Sequence, residues 1–519
     1  MSANKTVENI GGESVRTDLN SGMTDLKSSI DHFMNDVDES DKCVYFDQLL
    51  DQWPLCDVVT AFASYPNLDW YQFAGQISKA SHLQYRPRKI RTIATYYYSV
   101  SNGGTERVMS SLCYLWLRMG YRVILITEDI GQKEEYDFPE GIKRVILPDY
   151  HKSEGSDFLE RAKVLEQCIR ENQVDVVVYH AWTLKLALLD EMIIKAMGAA
   201  FVFHCHNIFT ITFLSSRFDL KWLVTPTRLS DAVVTLSSID RTYWQNFNNN
   251  VFQVNNPFTG NYGDWNPVSC DGHDILWLAR ISQEKRPFDA LAILQEVMKT
   301  IPDAKLHIVG SSWDQKYEKR FRKAIAEKKL TDNVILHGFQ IEVIPYYKKG
   351  SLFLMTSEYE GYPMTLQESM ASGLPIVMYA LPHLTVTHDN PGIITVPQGD
   401  VGGAARVITR LLQNDEERKQ MGREARKYMD GLMEYDYEGT WSGILDSLGK
   451  EHPSEMPEEV RSMMETLVLH HHIGLEKRQD AMMYGERKTV RTAVRVVKLK
   501  DSIHEKGLGY TLKKLVKKD

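Results

Sequence analysis

Residues 351–380 read SLFLMTSEYEGYPMTLQESMASGLPIVMYA, and this stretch decides the fold class. Its two apolar runs, at about Leu352–Met355 and Ile376–Tyr379, have the length of buried strands. The residues between them contain a glycine suited to a tight turn, followed by a helical pattern. A strand, a helix and a further strand in this order build a parallel sheet covered by helices. The stretch therefore predicts an α/β protein.

The same alternation of apolar runs and amphipathic helices continues in both directions along the 519 residues. A first group of strands is predicted at about Ile90–Tyr98, Arg122–Thr127, Arg144–Leu147, Asp175–Tyr179, Ala200–His204, Ala232–Leu236 and Val251–Val254. A second group is predicted at about Ile275–Leu278, Lys305–Val309, Asn333–Leu336, Leu352–Met355, Ile376–Tyr379 and Gly392–Val396. We therefore expect two doubly wound domains that face a common cleft.

Segments at both ends extend this organisation. Residues near the N-terminus are too polar to offset chain entropy, and the aromatic residues that follow recur at helical spacing. The predicted segments are, in order, a disordered segment (1–41), an accessory helical segment (42–86), the first sheet domain (87–262), the second sheet domain (263–430), a helix that returns to the first domain (431–450) and a helical basic appendage (451–519).

The net charge of −8, from 61 basic and 69 acidic residues, is unevenly distributed. From Arg487 to the C-terminus there are 11 basic and 3 acidic residues, so the rest of the chain carries −16. The tail, residues 487–519, has the pattern of a basic amphipathic helix. Such a helix could bind an anionic membrane surface or, alternatively, pack on the acidic body, which is the rest of the chain. The acidic body argues against nucleic acid as a partner.

Cellular location is predicted from what the sequence lacks. There is no leader-like N-terminus, no apolar run of about 18 residues and no paired cysteine spacing among the six cysteines. We therefore expect a cytoplasmic protein with reduced thiols.

Three loops that directly follow predicted strands contain candidate site residues, because ligands bind at the carboxyl ends of parallel strands. Gly103 and Gly104 let backbone amides approach a phosphate or a sugar, although the loop also suits a plain helix start. Arg280 and Lys285 flank a turn and could clamp a diphosphate, although a solvated basic turn has the same pattern.

The third loop contains two carboxylates, Glu360 before a helix and Glu368 about two turns into it. Both can face one cleft and accept hydrogen bonds from sugar hydroxyls. A capping carboxylate followed by a solvated helix residue is the alternative interpretation.

Together, these motifs resemble a known family. They are GGTERV at 103–108, DAVVTLS at 231–237, Asn256-Pro257, Arg280 with Lys285, and EGYPMTLQE at 360–368 followed by ASGLPIV at 371–377. Over about Lys89–Leu448 the chain resembles the retaining glycosyltransferases of family 4, whose GT-B fold consists of two Rossmann-like domains. The resemblance implies an acceptor-side N-terminal domain, a nucleotide-sugar C-terminal domain and neither a metal nor a cofactor.

The resemblance also implies roles for particular residues. Glu360 would contact the donor sugar and Glu368 the ribose, while Arg280 and Lys285 would bind the diphosphate. Further donor contacts would come from Gly103, Gly104, Gly338, Phe339, Gly361, Met364 and Thr365. His206 fits a catalytic histidine against the donor sugar, although strand register decides whether it or His204 faces the cleft. His180 would shape the acceptor side.

These observations lead to a functional hypothesis. The chain is predicted to be a metal-independent, retaining hexosyltransferase that moves a sugar from a nucleotide-diphosphate donor to a glycan or lipid-linked acceptor, in bacterial-type surface polysaccharide or glycoconjugate synthesis. Its tail would place it on the inner face of the membrane. The alternatives are a sugar-nucleotide epimerase on the same fold and a non-catalytic sugar-binding or scaffold subunit of a transferase complex.

Overall fold

The computed structural model describes residues 14–101, 103–128, 135–211, 220–475 and 477. The described chain forms two compact units. The large unit contains residues up to 211 and 222–456, and the small unit contains 220–221 and the segment from 457, which is helical over 458–475. The predicted basic tail, 487–519, lies outside the described residues.

In the described part of the chain, thirteen strands form two parallel sheets. The strands of the first sheet are β1 Thr92–Tyr96, β2 Arg122–Thr127, β3 Lys143–Ile146, β4 Val176–Tyr179, β5 Ala200–His204, β6 Ala232–Thr235 and β7 Val251–Gln253. Those of the second are β8 Asp274–Leu278, β9 Lys305–Val309, β10 Val334–Gly338, β11 Leu352–Met355, β12 Ile376–Tyr379 and β13 Ile393–Val396. Their orders are β3-β2-β1-β4-β5-β6-β7 and β10-β9-β8-β11-β12-β13. The predicted pair of doubly wound domains is confirmed.

Helices cover both sheets and precede the first one. They are α1 Ser14–Asn35, α2 Lys42–Gln52, α3 Leu55–Ala63, α4 Trp70–Ile77, α5 Gly104–Arg118, α6 Phe158–Asn172, α7 Ala187–Ala196, α8 Leu220–Val224, α9 Ser238–Trp244, α10 Pro287–Met298, α11 Gln315–Glu327, α12 Ile344–Tyr347, α13 Met364–Ala371, α14 Val401–Gln413, α15 Asp415–Leu432 and α16 Tyr437–Ser447. Among the described helices, none is both long and apolar enough to cross a membrane.

The strand sequences are apolar because both faces of each sheet are buried. β1, β4, β5 and β6 are buried along their whole length, as are β11 and β12 in the second sheet. Helix α16 joins the core of the first domain, where Trp441 makes an edge contact with Trp116, with ring centroids 5.0 Å apart. The chain thus crosses back to the first domain after completing the second.

The N-terminal helices differ from the prediction of disorder over residues 1–41. Helix α1 occupies Ser14–Asn35, and Leu26, Ile30 and Phe33 are buried. These residues stand at positions i, i+4 and i+7, so they form one apolar stripe that the polar average composition conceals. Residues 1–13 lie outside the described part of the chain.

An aromatic cluster forms the core of this helical segment. Phe62 lies at its centre, with ring centroids 5.3 Å from Phe33, 5.9 Å from Phe46 and 4.6 Å from Phe73. All four side chains are almost completely buried. Helix α3, which contains Phe62, packs on α6 and α7 of the first sheet domain. Aromatic packing therefore holds the segment together, and α3 attaches it to the first sheet domain.

We predict that Phe62→Ala destabilises the protein by about 3–5 kcal/mol, because truncating a buried phenylalanine leaves a cavity. Val44→Ala, on the same segment but 59% exposed, should change the free energy of unfolding by no more than about 0.5 kcal/mol. Urea unfolding of the two variants beside the parent measures both. Equal effects of the two substitutions would contradict the role of the cluster.

Candidate active site

The candidate residues lie where each sheet changes its direction of winding. In the first sheet this point is between β1 and β4, and in the second it is between β8 and β11. The loops after these four strands contain the Gly103-Gly104 turn, His180, the Arg280 to Lys285 turn and Glu360. We call this position the switch point of the sheet. The loops on its two sides turn in opposite directions and leave a crevice at the carboxyl edge of the sheet.

Glu360 is held by three neighbours in the second domain. Its Oε1 atom accepts hydrogen bonds from Lys285 Nζ and from Ser357 Oγ, both at 2.6 Å. Its backbone carbonyl accepts one from Nε2 of His383 at 2.8 Å. Lys285 and Glu360 are 18% and 13% exposed, so the pair is oriented by the protein and still reached from the cleft. The structure thus brings together two residues predicted for the donor site.

Arg280 has a different partner from Lys285. Its guanidinium donates to Glu284 at 2.7 Å and lies 4.3 Å from the ring centroid of Trp313, which is 73% exposed. Burial raises the pKa of Glu106, which follows the Gly103-Gly104 turn, to about 7, and the positive charge of Arg280 opposes part of that rise. Arg280 therefore acts electrostatically on the loop of the first domain.

Glu368 is almost completely buried and bound on both carboxylate oxygens. Tyr347 donates to Oε2 at 2.8 Å, and the guanidinium of Arg107 lies 2.6 Å from Oε1. Although burial alone would lower the pKa of Arg107, the negative charge of Glu368 raises it above its ordinary value. Arg107 belongs to the first domain, so this ion pair joins the two domains.

Sequence reasoning missed the role of Arg107. The residue stands in the quoted GGTERV motif, three positions after Gly104, which was the available signal. Helix α5 begins at Gly104, so Arg107 lies in its first turn and reaches across the cleft. Arg107 also donates to Thr259 Oγ1, in the linker between the domains.

Two helix N-termini meet across the cleft. Helix α13 begins at Met364 and α5 at Gly104, and a Cβ atom on Gly104 would lie 3.8 Å from Met364 Cγ. Thr365 is the second residue of α13. Because helix N-termini carry partial positive charge and outward-pointing amides, their convergence creates a region that favours an anion.

The backbones of the two domains approach each other closely at Gly361. A Cβ atom at this position would overlap the carbonyl oxygen of His206 and lie 2.9 Å from Asn207 Cα. Only glycine lets the carboxylate loop come this close to the backbone after β5. Glu360 and His206, predicted from separate domains, are therefore brought to the same part of the cleft.

The three predicted histidines form one cluster. His180 Nδ1 and His206 Nε2 are 2.6 Å apart, and the rings of His204 and His206 have centroids 4.2 Å apart. Burial lowers the pKa of all three imidazoles, and that of His204 falls to about 3. His204 is 2% exposed, whereas His206 keeps part of its surface exposed. The sequence did not predict that both would contact His180.

Gly338 and Phe339, predicted as further donor contacts, lie at the end of β10 and directly after it. Gly338 has a φ of +71°, and its carbonyl accepts a hydrogen bond from Gly310 N at 2.7 Å. Phe339 comes next and is partly buried. The chain then borders an interdomain cavity of about 940 Å³, whose lining includes Val343, Gln367 and Arg107. The loop after β10 and the Glu368 helix thus lead to the same side of the cleft.

Comparison with known proteins gives matches over both domains. The model described as Glycosyltransferase Family 4 matches residues 102–256, and the model described as Glycosyl transferases group 1 matches residues 269–428. The first range contains the Gly103-Gly104 turn and the three histidines, and the second contains Arg280, Lys285 and both carboxylates.

Individual relatives match to different extents. An uncharacterized glycosyltransferase of Haemophilus influenzae is 28% identical over 357 residues, which cover 66% of this chain and 97% of the relative. The poly(glycerol-phosphate) alpha-glucosyltransferase of Bacillus subtilis is 25% identical over a range that covers 35% of this chain but only 27% of that protein.

Solved structures share the two-domain architecture. Sucrose-phosphate synthase from Thermosynechococcus elongatus matches with a TM-score of 0.57 at 16% identity, over 68% of this chain and 98% of that one. Anabaena HepE, solved in complex with UDP and glucose, matches with a TM-score of 0.57 at 15% identity, over 69% of this chain and 100% of that one. At such identities the match concerns the fold. Because family models match both sheet domains, the chain belongs to the group 1 glycosyltransferases, and the solved structures, which cover 68% and 69% of it, share its two-domain GT-B fold.

Proposed function

We propose that the protein is a retaining, metal-independent hexosyltransferase that moves a sugar from a nucleotide-diphosphate donor to a glycan or lipid-linked acceptor. The observation that carries the proposal is the arrangement at the second switch point. There Lys285 contacts Glu360, Glu368 is buried within α13, and the N-terminus of α13 meets that of α5 from the other domain. This combination provides cations and amides for a diphosphate and carboxylates for hydroxyl groups.

Catalysis in this proposal depends on charge stabilisation and alignment. Arg280 and Lys285 neutralise the charge that develops on the leaving diphosphate, so this step is assigned no metal ion. Closure of the two domains aligns the acceptor with the donor sugar, which Glu360 and His206 hold. The retaining stereochemistry is proposed from the family resemblance.

The acceptor class is proposed from relatives. Three partial matches are named poly(glycerol-phosphate) alpha-glucosyltransferase, GDP-mannose:cellobiosyl-diphosphopolyprenol alpha-mannosyltransferase and alpha-monoglucosyldiacylglycerol synthase, so their names refer to a polymer and to lipids. Polymer and lipid acceptors of this kind fit a cytoplasmic enzyme of surface polysaccharide or glycoconjugate synthesis that works beside a membrane. The anionic membrane surface remains the proposed partner of the tail, 487–519.

A screen of nucleotide sugars separates this proposal from its alternatives. A transferase should release nucleoside diphosphate slowly even without an acceptor, because water can replace the acceptor hydroxyl. An epimerase would return a nucleotide sugar with altered stereochemistry, and a non-catalytic subunit would bind the donor without turnover. Release of nucleoside diphosphate from none of the donors tested would exclude the proposed reaction.

We predict that Glu360→Gln and Lys285→Ala each lower kcat/KM by about 10²–10³, because each removes a preorganised group at the donor. The matched control is the surface pair Lys299 and Glu296, whose ion pair also measures 2.6 Å. Lys299→Ala and Glu296→Gln should leave kcat/KM unchanged. Steady-state release of nucleoside diphosphate provides the measurement, and parent-like rates in both site variants would show that the donor site is misassigned.

We predict that Gly361→Ala lowers kcat/KM by about 10²-fold, since the added methyl group forces the two domains apart at His206. Gly431→Ala is the matched control, because a Cβ atom there meets no other atom within 4 Å. The same kinetic assay compares both variants with the parent. Full activity of Gly361→Ala would mean that this close approach is not needed for turnover.

A further inference from the structure

A second cavity lies at the amino edge of the first sheet, and we call it the amino-edge cavity. Its volume is about 960 Å³, and its walls come from the segment before β1, the start of β2 and the end of α16. Gly449, with a φ of +70°, brings the chain after α16 so close to the first segment that a Cβ atom there would lie 2.8 Å from the carbonyl oxygen of Tyr85. The candidate active site lies at the opposite, carboxyl edge, so the length of the strands separates the two places.

The walls of the amino-edge cavity are strongly basic. Five cationic residues line it, against one acidic residue, Asp446, among the described lining residues. The five are Arg88, Lys89, Arg91, Arg122 and Lys450. Because the chain outside the tail is acidic overall, this concentration of positive charge differs from its surroundings. The cavity should therefore attract anions, although the body as a whole repels them.

Four of these five cations form no ion pair with a described residue. The exception is Arg88, whose Nε atom lies 2.9 Å from Asp175 Oδ1. Arg122 donates from Nε to Thr92 Oγ1 at 3.2 Å, a contact that orients its guanidinium without neutralising the charge. Cations that share one cavity repel each other, so a bound anion would replace this repulsion by attraction.

The walls also contain an unused hydrogen-bond donor. Tyr85 lines the cavity and is 6% exposed, and the proton of its hydroxyl group has no acceptor among the described residues. Burial raises the pKa of Tyr85, so the hydroxyl group stays protonated at neutral pH and is able to donate. Because a buried donor without an acceptor costs free energy, Tyr85 indicates independently of the charges that a ligand completes the site.

The chemistry of the amino-edge cavity favours a small ligand with several phosphate groups. Three of the five cations are arginines, whose planar guanidinium groups match phosphate oxygens in two-point contacts. A single negative charge would leave most of the cations uncompensated, so a multivalent anion fits better than a monovalent one. A cavity of this volume encloses a compact molecule, whereas a flat bilayer surface would contact only its rim.

We propose that the amino-edge cavity binds one small anion of the polyphosphate type, with its phosphate groups on Arg91, Arg122 and Lys450. The proposal does not rest on the transfer reaction proposed above, because it uses none of the residues assigned to that reaction. Either proposal can therefore fail while the other stands.

The test titrates the full chain with sodium tripolyphosphate in a calorimeter, at about 0.15 M salt so that long-range attraction is screened. Arg91→Glu combined with Lys450→Glu, both at exposed positions, should weaken one equivalent of binding about 10-fold or more, because two charge-assisted contacts are lost. Lys319→Glu combined with Lys427→Glu, at exposed positions of α11 and α15, changes the net charge equally and should retain that equivalent. Lys285→Ala, which alters the proposed donor site, should retain it too.

Two results of this titration would overturn the proposal. Equal binding in the cavity variant and the charge-matched control would show that the cavity holds no tripolyphosphate, and equal losses in both would show general charge attraction only. If the cavity variant does not melt cooperatively, Arg91→Gln combined with Lys450→Gln replaces it under the same criteria.

Flotation with phosphatidylglycerol vesicles tests a lipid surface as the other source of phosphate. The cavity variant, Arg91→Glu with Lys450→Glu, should float to the same extent as the parent, because the cavity is assigned to a compact soluble anion. Loss of flotation in this variant together with unchanged binding of tripolyphosphate would overturn the proposal in favour of a membrane contact.

Discussion

The contact of Gly361 with the backbone of His206 determines how the two halves of the site face each other. At Gly361 the backbones of the two carboxyl-edge loops approach so closely that no side chain fits between them. Gly361 allows this approach on the second domain, while on the first domain α5 begins at Gly104, beside Met364. The converging helix N-termini and the carboxylate loop depend on this approach, because a wider cleft would separate them.

The charges at the cleft are paired within the protein. Lys285 contacts Glu360, Arg280 contacts Glu284, and Arg107 contacts Glu368 across the domain boundary. Pairing keeps each cation oriented, and cations that are held in place stabilise developing charge without reorganisation during the reaction. A diphosphate would compete with these carboxylates for the same cations. Donor binding is thus expected to replace ion pairs within the protein by ion pairs with the donor. Replacement of the pair between Arg107 and Glu368 would affect both domains, because this pair joins them.

The fold was largely predictable because its signals are local. Each strand is an apolar run that contrasts with its surroundings, and each candidate loop directly follows a strand, so Arg280, Lys285 and Glu360 could be placed at the carboxyl edge of their sheet from position alone. Helix α1 was missed because Leu26, Ile30 and Phe33 are few among polar residues, and only their spacing shows the apolar stripe.

The contacts between distant residues could not be predicted in the same way. The pairing of Arg107 with Glu368 joins helices of two domains, and no spacing along the chain indicates it. The histidine cluster depends on the register between β4 and β5. The sequence does not distinguish two registers that differ by one residue. Such contacts arise from the packing of the domains, so only the folded structure shows them.

The central claim is that a nucleotide-diphosphate sugar binds where the two switch points meet. A crystal structure of the protein with a nucleoside diphosphate tests it most directly. We expect Arg280 and Lys285 to contact the diphosphate, Glu368 to accept hydrogen bonds from the ribose, and the backbone near Gly103 and Met364 to face the phosphates. A nucleotide bound in any other place, with Lys285 and Glu368 still on their protein partners, would contradict the account.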